Sequence, residues 1–209
     1  MNYVSGQFVA LPRITNLNTL KLKYTDILTY TALRSFDGDE GCFPSYESIS
    51  ARANCSRDFI ITSIKRLERS GLISVKRTRK RLVRDRLPVN EYRFKHFDLF
   101  DPIPYDIFEA TLTLHDKAML LSLRQFFYDV KIRPLYSLAR IAKELKLSTK
   151  VVQQRFRSLI ELGYIVKLKV PRRNLRFSYK YELSSQVNWI WDRSKLNLTN
   201  GLGLLLRVS

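Results

Sequence analysis

Two stretches of this chain gather cationic side chains at a density suited to polyanions. Between positions 76 and 86 stand Lys76, Arg77, Arg79, Lys80, Arg81, Arg84 and Arg86, opposed within that stretch only by Asp85. Between 167 and 180 stand Lys167, Lys169, Arg172, Arg173, Arg176 and Lys180, with no acid among them. Such runs neutralise phosphates and position a protein on a nucleic acid without reading its sequence. A second set of side chains is equipped to read. Arg57, Asp58, Thr62, Ser63 and Arg66 follow Ser56, and Thr149, Lys150, Gln153, Gln154 and Arg157 follow Ser148. Arginine and lysine pair with guanine O6 and N7, and glutamine binds adenine through two hydrogen bonds. A serine opening each helix leaves an N-terminus that favours a nearby phosphate.

Other chemistry finds little support. No Gly-x-x-x-x-Gly-Lys loop is present to cradle a nucleotide. A metal-assisted strand-nicking site needs two histidines one residue apart beside a tyrosine, yet the histidines are His96 and His115. Asp37, Asp39 and Glu40 share one turn and read as a solvated loop rather than a two-metal cluster. Cys42 and Cys55 have no histidine at ligand spacing and read as small buried residues. The expectation is a protein that is not an enzyme and holds no metal or cofactor.

The composition agrees with a binding role. Lys and Arg number 37 against 19 Asp and Glu, a net charge of +18, and the basic excess is spread over both halves of the 209 residues. At 45% hydrophobic and 12% aromatic, the chain has the material for a folded core. No run of about 20 apolar residues offers a membrane span, and Met1 to Arg13 lacks the basic start and apolar core of a signal peptide. The expected location is the bacterial cytosol, in association with the nucleoid.

The elements that must position these residues repeat. Leu33-Arg34-Ser35-Phe36 matches Leu123-Arg124-Gln125-Phe126 at an offset of 90, as Asp26 matches Asp116. Ile49, Ser56, Ile60, Leu67, Gly71 and Ile73 then match Ile141, Ser148, Val152, Leu159, Gly163 and Ile165 at an offset of 92. In the first copy, helical spacing runs from Tyr24 to Phe36. Ser45 caps a second helix through Ala53, and Ser56 caps a third that Gly71 ends. Alternation then predicts strands on either side of the basic stretch, with Tyr92 and Phe94 on one face of the return strand. The second copy predicts helices over Leu114–Tyr128, Leu138–Leu145 and Ser148–Leu162. Its hairpin follows, with Val166, Leu168 and Val170 alternating with Lys167 and Lys169, and with Leu175, Phe177, Tyr179 and Tyr181 sharing a face.

Three helices and a two-stranded basic hairpin make a winged helix. The reading is therefore mainly α with small β-hairpins (α+β): two tandem winged-helix domains forming an intramolecular pseudo-dimer. The expected divisions are a first domain over 1–97, a linker over 98–113 where Pro102 and Pro104 block a helix, a second domain over 114–183, and a C-terminal extension over 184–209. Within that extension the apolar 201–208 reads as a strand or docking segment.

The run Phe43-Pro44-Ser45 through Ile49, Ser56, Ile60, Leu67, Glu68 and Gly71-Leu72-Ile73 resembles the helix-turn-helix domain widespread in plasmid and phage proteins, over roughly residues 20 to 77. The tandem arrangement is similar to the two-winged-helix plasmid replication initiators, which bind repeated origin sequences and often repress their own promoters. The resemblance implies that the helices from Ser56 to Ser70 and from Ser148 to Leu162 read bases in double-stranded DNA. It implies a replication initiator, with a transcriptional repressor of a mobile element as the alternative. Homodimerisation and contacts with replication or transcription machinery would follow. A reading from another class is a winged-helix protein-interaction scaffold, which need not be basic.

Overall fold

The computed structural model describes residues 8–12, 20–77, 90–98, 100–128, 131–132, 137–171 and 177–184. Among these residues the chain is α+β, with helices in two groups of three and small antiparallel sheets. The first group is α1 (Asp26–Arg34), α2 (Tyr46–Ala53) and α3 (Arg57–Arg69), followed by β2 (Ile73–Arg77) and β3 (Asn90–Phe94). The second is α5 (Leu114–Leu123), α6 (Leu138–Glu144) and α7 (Thr149–Glu161), followed by β7 (Ile165–Pro171) and β8 (Phe177–Leu183). Outside the two groups lie β1 (Phe8–Pro12), β4 (Phe100–Pro104) and the short α4 (Asp106–Glu109).

Local chemistry explains why the helices start and stop where they do. Ser45, Ser56 and Ser148 each accept a hydrogen bond from the backbone N–H three residues on, as do Thr113 and Ser137. Asn54 and Lys146, at equivalent places in the helix-turn-helix bends, both take the left-handed conformation, with φ of 52° and 53°. Asparagine tolerates that region better than lysine does. Gly71 and Gly163 end α3 and α7 with φ of 73° and 79°. Beyond them, the N–H groups of Leu72 and Tyr164 reach back to the carbonyls of Leu67 and Leu159.

The core is continuous across both groups. Ile60, Ile64 and Leu67 of α3, and Val152, Phe156 and Leu159 of α7, are buried, as the helical spacing requires. α1 packs on both α2 and α3, α5 packs on α7, and α1 also packs on α5, so the two first helices join the groups. Tyr24 Oη and His115 Nδ1 share a hydrogen bond of 2.7 Å across that junction. β2 and β3 pair with Val75 opposite Tyr92, and Tyr92 also bridges to Cys42. Tyr92 is buried and Phe94 half-buried, packing edge-on against Tyr30.

Two expectations about the elements change. The helix expected over Leu114–Tyr128 ends at Leu123, passes through a 3-10 turn at Arg124–Phe126 and becomes β5 (Phe127–Tyr128). Phe126 and Phe127 are both buried at this change, and Phe127 already has an extended backbone, with φ of -96° and ψ of 142°. β5 pairs with β6 (Lys131–Ile132), giving the second hairpin a four-stranded sheet in the order β5-β6-β8-β7. In the first copy, the helix expected over Tyr24–Phe36 spans Asp26–Arg34.

The segment expected as a linker, 98–113, is built into the fold over residues 100–113. β4 pairs antiparallel with β1 from the N-terminal end, Ile103 opposite Val9, and Ile103 and Ile107 are fully buried. Tyr105 Oη donates to Ser35 O at 2.9 Å, and the Arg52 guanidinium lies over the rings of Phe36, Tyr105 and Phe108. On its other side, buried Lys117 Nζ donates to Phe108 O at 2.6 Å, and Arg124 pairs with Asp101 at 3.3 Å. Pro102 and Pro104 are compatible with a strand here, since among the described residues β4 pairs with β1 alone, and the short α4 starts just beyond them.

Candidate nucleic-acid interface

The outer faces of α3 and α7 present polar side chains in two different ways. On α3, Arg57, Asp58 and Thr62 are exposed. Arg57 Nε pairs with Glu47 Oε1 of α2 and holds that carboxyl below the usual range. On α7, Thr149, Lys150, Gln153, Gln154 and Arg157 are all exposed. Lys65 and Arg69 of α3 are exposed as well. They extend the basic face beyond the residues named from sequence.

Ser63 and Arg66 do not join this outer face. Ser63 is 0% exposed, and its Oγ donates to Asp26 Oδ1 at 2.7 Å. Arg66 reaches the same carboxylate with Nη2 at 2.6 Å from Oδ1 and Nε at 2.8 Å from Oδ2. Helical arithmetic accounts for the correction. Ser63 stands three residues after Ile60 and four before Leu67, on the side of α3 that faces the core. Arg66, three further on, borders that side and bends its guanidinium inward to the buried acid.

The second copy contains the corresponding clamp. Ser158 Oγ donates to Asp116 Oδ2 at 3.1 Å, and Arg155 Nη1 lies 3.5 Å from Asp116 Oδ1. Thr113 Oγ1 also donates to Asp116 Oδ2, closing a cap at the start of α5. Arg155 stands close to Tyr24 of the first copy, where its charge partly offsets the upward push of burial on the phenol. The same guanidinium contributes to lowering His115, after burial. Tyr24, His115, Asp116 and Arg155 thus form one polar cluster joining the turn before α1 to α5 and α7.

The two basic strand pairs differ in how much of their charge is committed. Arg77 makes two hydrogen bonds to Glu68 of α3, at 2.9 and 2.6 Å, and Glu68 is held below the ordinary carboxylate range by it. Lys76 lies 3.6 Å from Glu91 on the return strand. Both acids flank the basic run in sequence, Glu68 before it and Glu91 after it, and folding brings each against its cation. Arg79, Lys80, Arg81, Arg172, Arg173 and Arg176 lie outside the described residues, as do Leu175 and segment 201–208.

In the second hairpin, Phe177, Tyr179 and Tyr181 share a face, and Lys167 and Lys169 lie on that same face, paired across from Tyr181 and Tyr179. Lys167 Nζ stands 4.0 Å from the Tyr179 ring centroid and Lys169 Nζ 3.9 Å from that of Phe177. The alternating Val166 and Leu168 occupy the other face and are exposed.

Cys42 and Cys55 are not disulfide-linked. Cys42 is buried with its thiol toward Leu33 O, and burial pushes it up to about 12 and Cys55 to about 11. Among the described residues, no helix is long and apolar enough to cross a membrane.

No curated protein and no solved structure matches the chain. A family model described as a helix-turn-helix domain matches residues 20–73, from the turn before α1 to the first residue of β2. The matched segment holds the Ser56-capped helix and the bend at Asn54, and a helix-turn-helix is a DNA-binding architecture whose second helix enters the major groove. The match over residues 20–73 supports a helix-turn-helix DNA-binding protein.

Proposed function

We propose that the protein is a sequence-specific double-stranded DNA-binding protein in which two tandem winged helices, over 1–97 and 114–183, act as a covalent pseudo-dimer. The observation that carries this reading is the pair of exposed polar faces on α3 and α7, each belonging to a helix tied to its own first helix by a buried aspartate. Because α1 and α5 pack together, the two reading helices are held in one frame. Their outward residues differ, Arg57, Asp58 and Thr62 against Thr149, Lys150, Gln153, Gln154 and Arg157. The preferred site is therefore asymmetric, with half-sites about one helical turn apart. The wings contact phosphates.

Within this reading the protein serves as a replication initiator of a plasmid or phage that reads origin repeats. A transcriptional repressor of a mobile element would use the same interface. Selection of bound sequences from random duplex, followed by footprinting around the protein's own gene, separates the two. Several directly repeated sites support the initiator, and a single promoter-overlapping operator supports the repressor. Binding to random duplex at 50 and 200 mM salt tests the common ground. Neutralising six or more phosphates predicts a loss of roughly a thousandfold, and absence of binding at low salt would sink the DNA reading in favour of a protein-interaction scaffold.

A further inference from the structure

The β7–β8 hairpin carries a surface that groove reading by α3 and α7 does not use. At its root Ile165 and Leu183 are buried, and Tyr181 packs edge-on against Phe156 of α7 with centroids 5.1 Å apart. Beyond that anchor, Tyr179 and Phe177 are 55% and 56% exposed. Each has an ammonium group over its ring, Lys167 over Tyr179 and Lys169 over Phe177. Large aromatic rings contribute most when buried, so two of them held open side by side, each with its own cation, suit a ligand that brings both a flat apolar face and negative charge.

We propose that this face binds single-stranded DNA, with unpaired bases stacking on Phe177 and Tyr179 while Lys167 and Lys169 turn to the adjoining phosphates. An aromatic ring accepts the face of any base, and backbone-tracking cations supply the rest of the affinity. The spacing favours an unpaired strand over a duplex. Same-face neighbours on a β-strand are about 6.6 Å apart, about twice the 3.4 Å rise per base along each strand of a stacked helix. Two bases can occupy two such rings only if they are drawn apart, and in a duplex their faces are already covered by neighbouring pairs. The lysines stand where a base would lie, on flexible stems that let the ammonium groups swing aside. One ring and one cation then serve each nucleotide. The site is separate from the duplex-reading helices and does not depend on them.

The test compares the full-length wild-type chain with two double variants by fluorescence anisotropy, on labelled dT15 and on a blunt random-sequence duplex at the same salt. Phe177→Leu with Tyr179→Leu keeps apolar, strand-compatible side chains at exposed positions but removes the π faces. Phe177→Tyr with Tyr179→Phe keeps both faces. The leucine pair is expected to lose at least tenfold on dT15, in line with stacking worth about fivefold to a hundredfold per base, and to change less than threefold on the duplex. The ring-exchanged pair is expected to bind dT15 as wild type does. No binding of dT15 by wild type, undiminished binding by the leucine pair, or an equal loss on duplex would each overturn the proposal. Equal loss would place the rings in a duplex as wedges. Failure of the duplex reading alone would leave the duplex arm empty and the dT15 arm intact.

Discussion

Asp26 and Asp116 occupy equivalent places in the two copies, yet they take their partners from the third helix in opposite order. Asp26 is met by Ser63 and then Arg66, whereas Asp116 is met by Arg155 and then Ser158. At the offset of 92 that relates the two third helices, Ser63 corresponds to Arg155 and Arg66 to Ser158. Positions i and i+3 of a helix lie on one side, so either order brings one hydroxyl and one guanidinium to a carboxylate seated between them. The clamp conserves its chemistry within the chain without conserving its sequence. It fixes the angle at which each third helix leaves the core, and so where the exposed polar face points.

The exchange makes a stability prediction. Asp26→Ala leaves Ser63 and Arg66 without their buried acid and is expected to cost about 3–5 kcal/mol, the range for breaking a buried pair. Ser63→Arg and Arg66→Ser, each alone, are expected to destabilise. Together they recreate the second copy's order and recover part of the loss, with a coupling of about 0.5–3 kcal/mol. Urea unfolding of the two singles and the double measures it, and strictly additive losses would show that the order is not interchangeable.

Base reading is expected to follow exposure. Replacing Gln153 and Gln154 by alanine should reduce discrimination between the selected site and random duplex by about 1–3 kcal/mol for each true base contact, with little effect on folding. Arg66→Ala should instead lower stability, because its guanidinium serves Asp26. Competition binding paired with thermal unfolding separates these outcomes, and equal losses on both DNAs would remove the glutamines from the reading set.

Charge in the first basic run, 76–86, is expected to act without regard to sequence. Replacing Arg79, Lys80 and Arg81 by alanine should weaken binding to all duplexes about equally and flatten the dependence on salt. Arg77→Ala should change binding less than any one of these, since Arg77 is already paired to Glu68. A larger effect at Arg77 than at the other three would mean that the ion pair opens on DNA.

The junction between the copies is expected to be sensitive to acid. His115 is lowered from its ordinary value of 6.5 by partial desolvation, then by the charge of Arg155, with Asp116 opposing. Between its folded value and 6.5 the unfolded chain binds more protons than the folded chain. The contribution of His115 to stability is therefore full above 6.5 and falls as the pH drops toward the folded value. The urea midpoint should decline from pH 7.5 to 5.5, and His115→Asn, which cannot titrate there, should shallow that decline. An NMR titration placing the ring above 6.5 would reverse the expected sign.

Much of the local structure was legible in the chain itself. The serine caps, the glycines closing the third helices and the apolar stripe of Ile60, Ile64 and Leu67 depend on residues within a turn or two of one another, and spacing alone reveals them. The doubled order of helices and hairpins follows from the same local signals repeated. What only the tertiary structure decided is which polar groups remain available. Ser63 and Arg66 are taken by an acid about forty residues away, Arg77 by Glu68, and segment 100–113 by surfaces on both copies. Lys167 and Lys169 come to share a face with Phe177 and Tyr179 through strand register across a turn. Such partnerships join residues of different elements, some near in the chain and some about forty residues apart. Periodicity says which side of its own element a residue occupies, and packing alone determines what stands opposite.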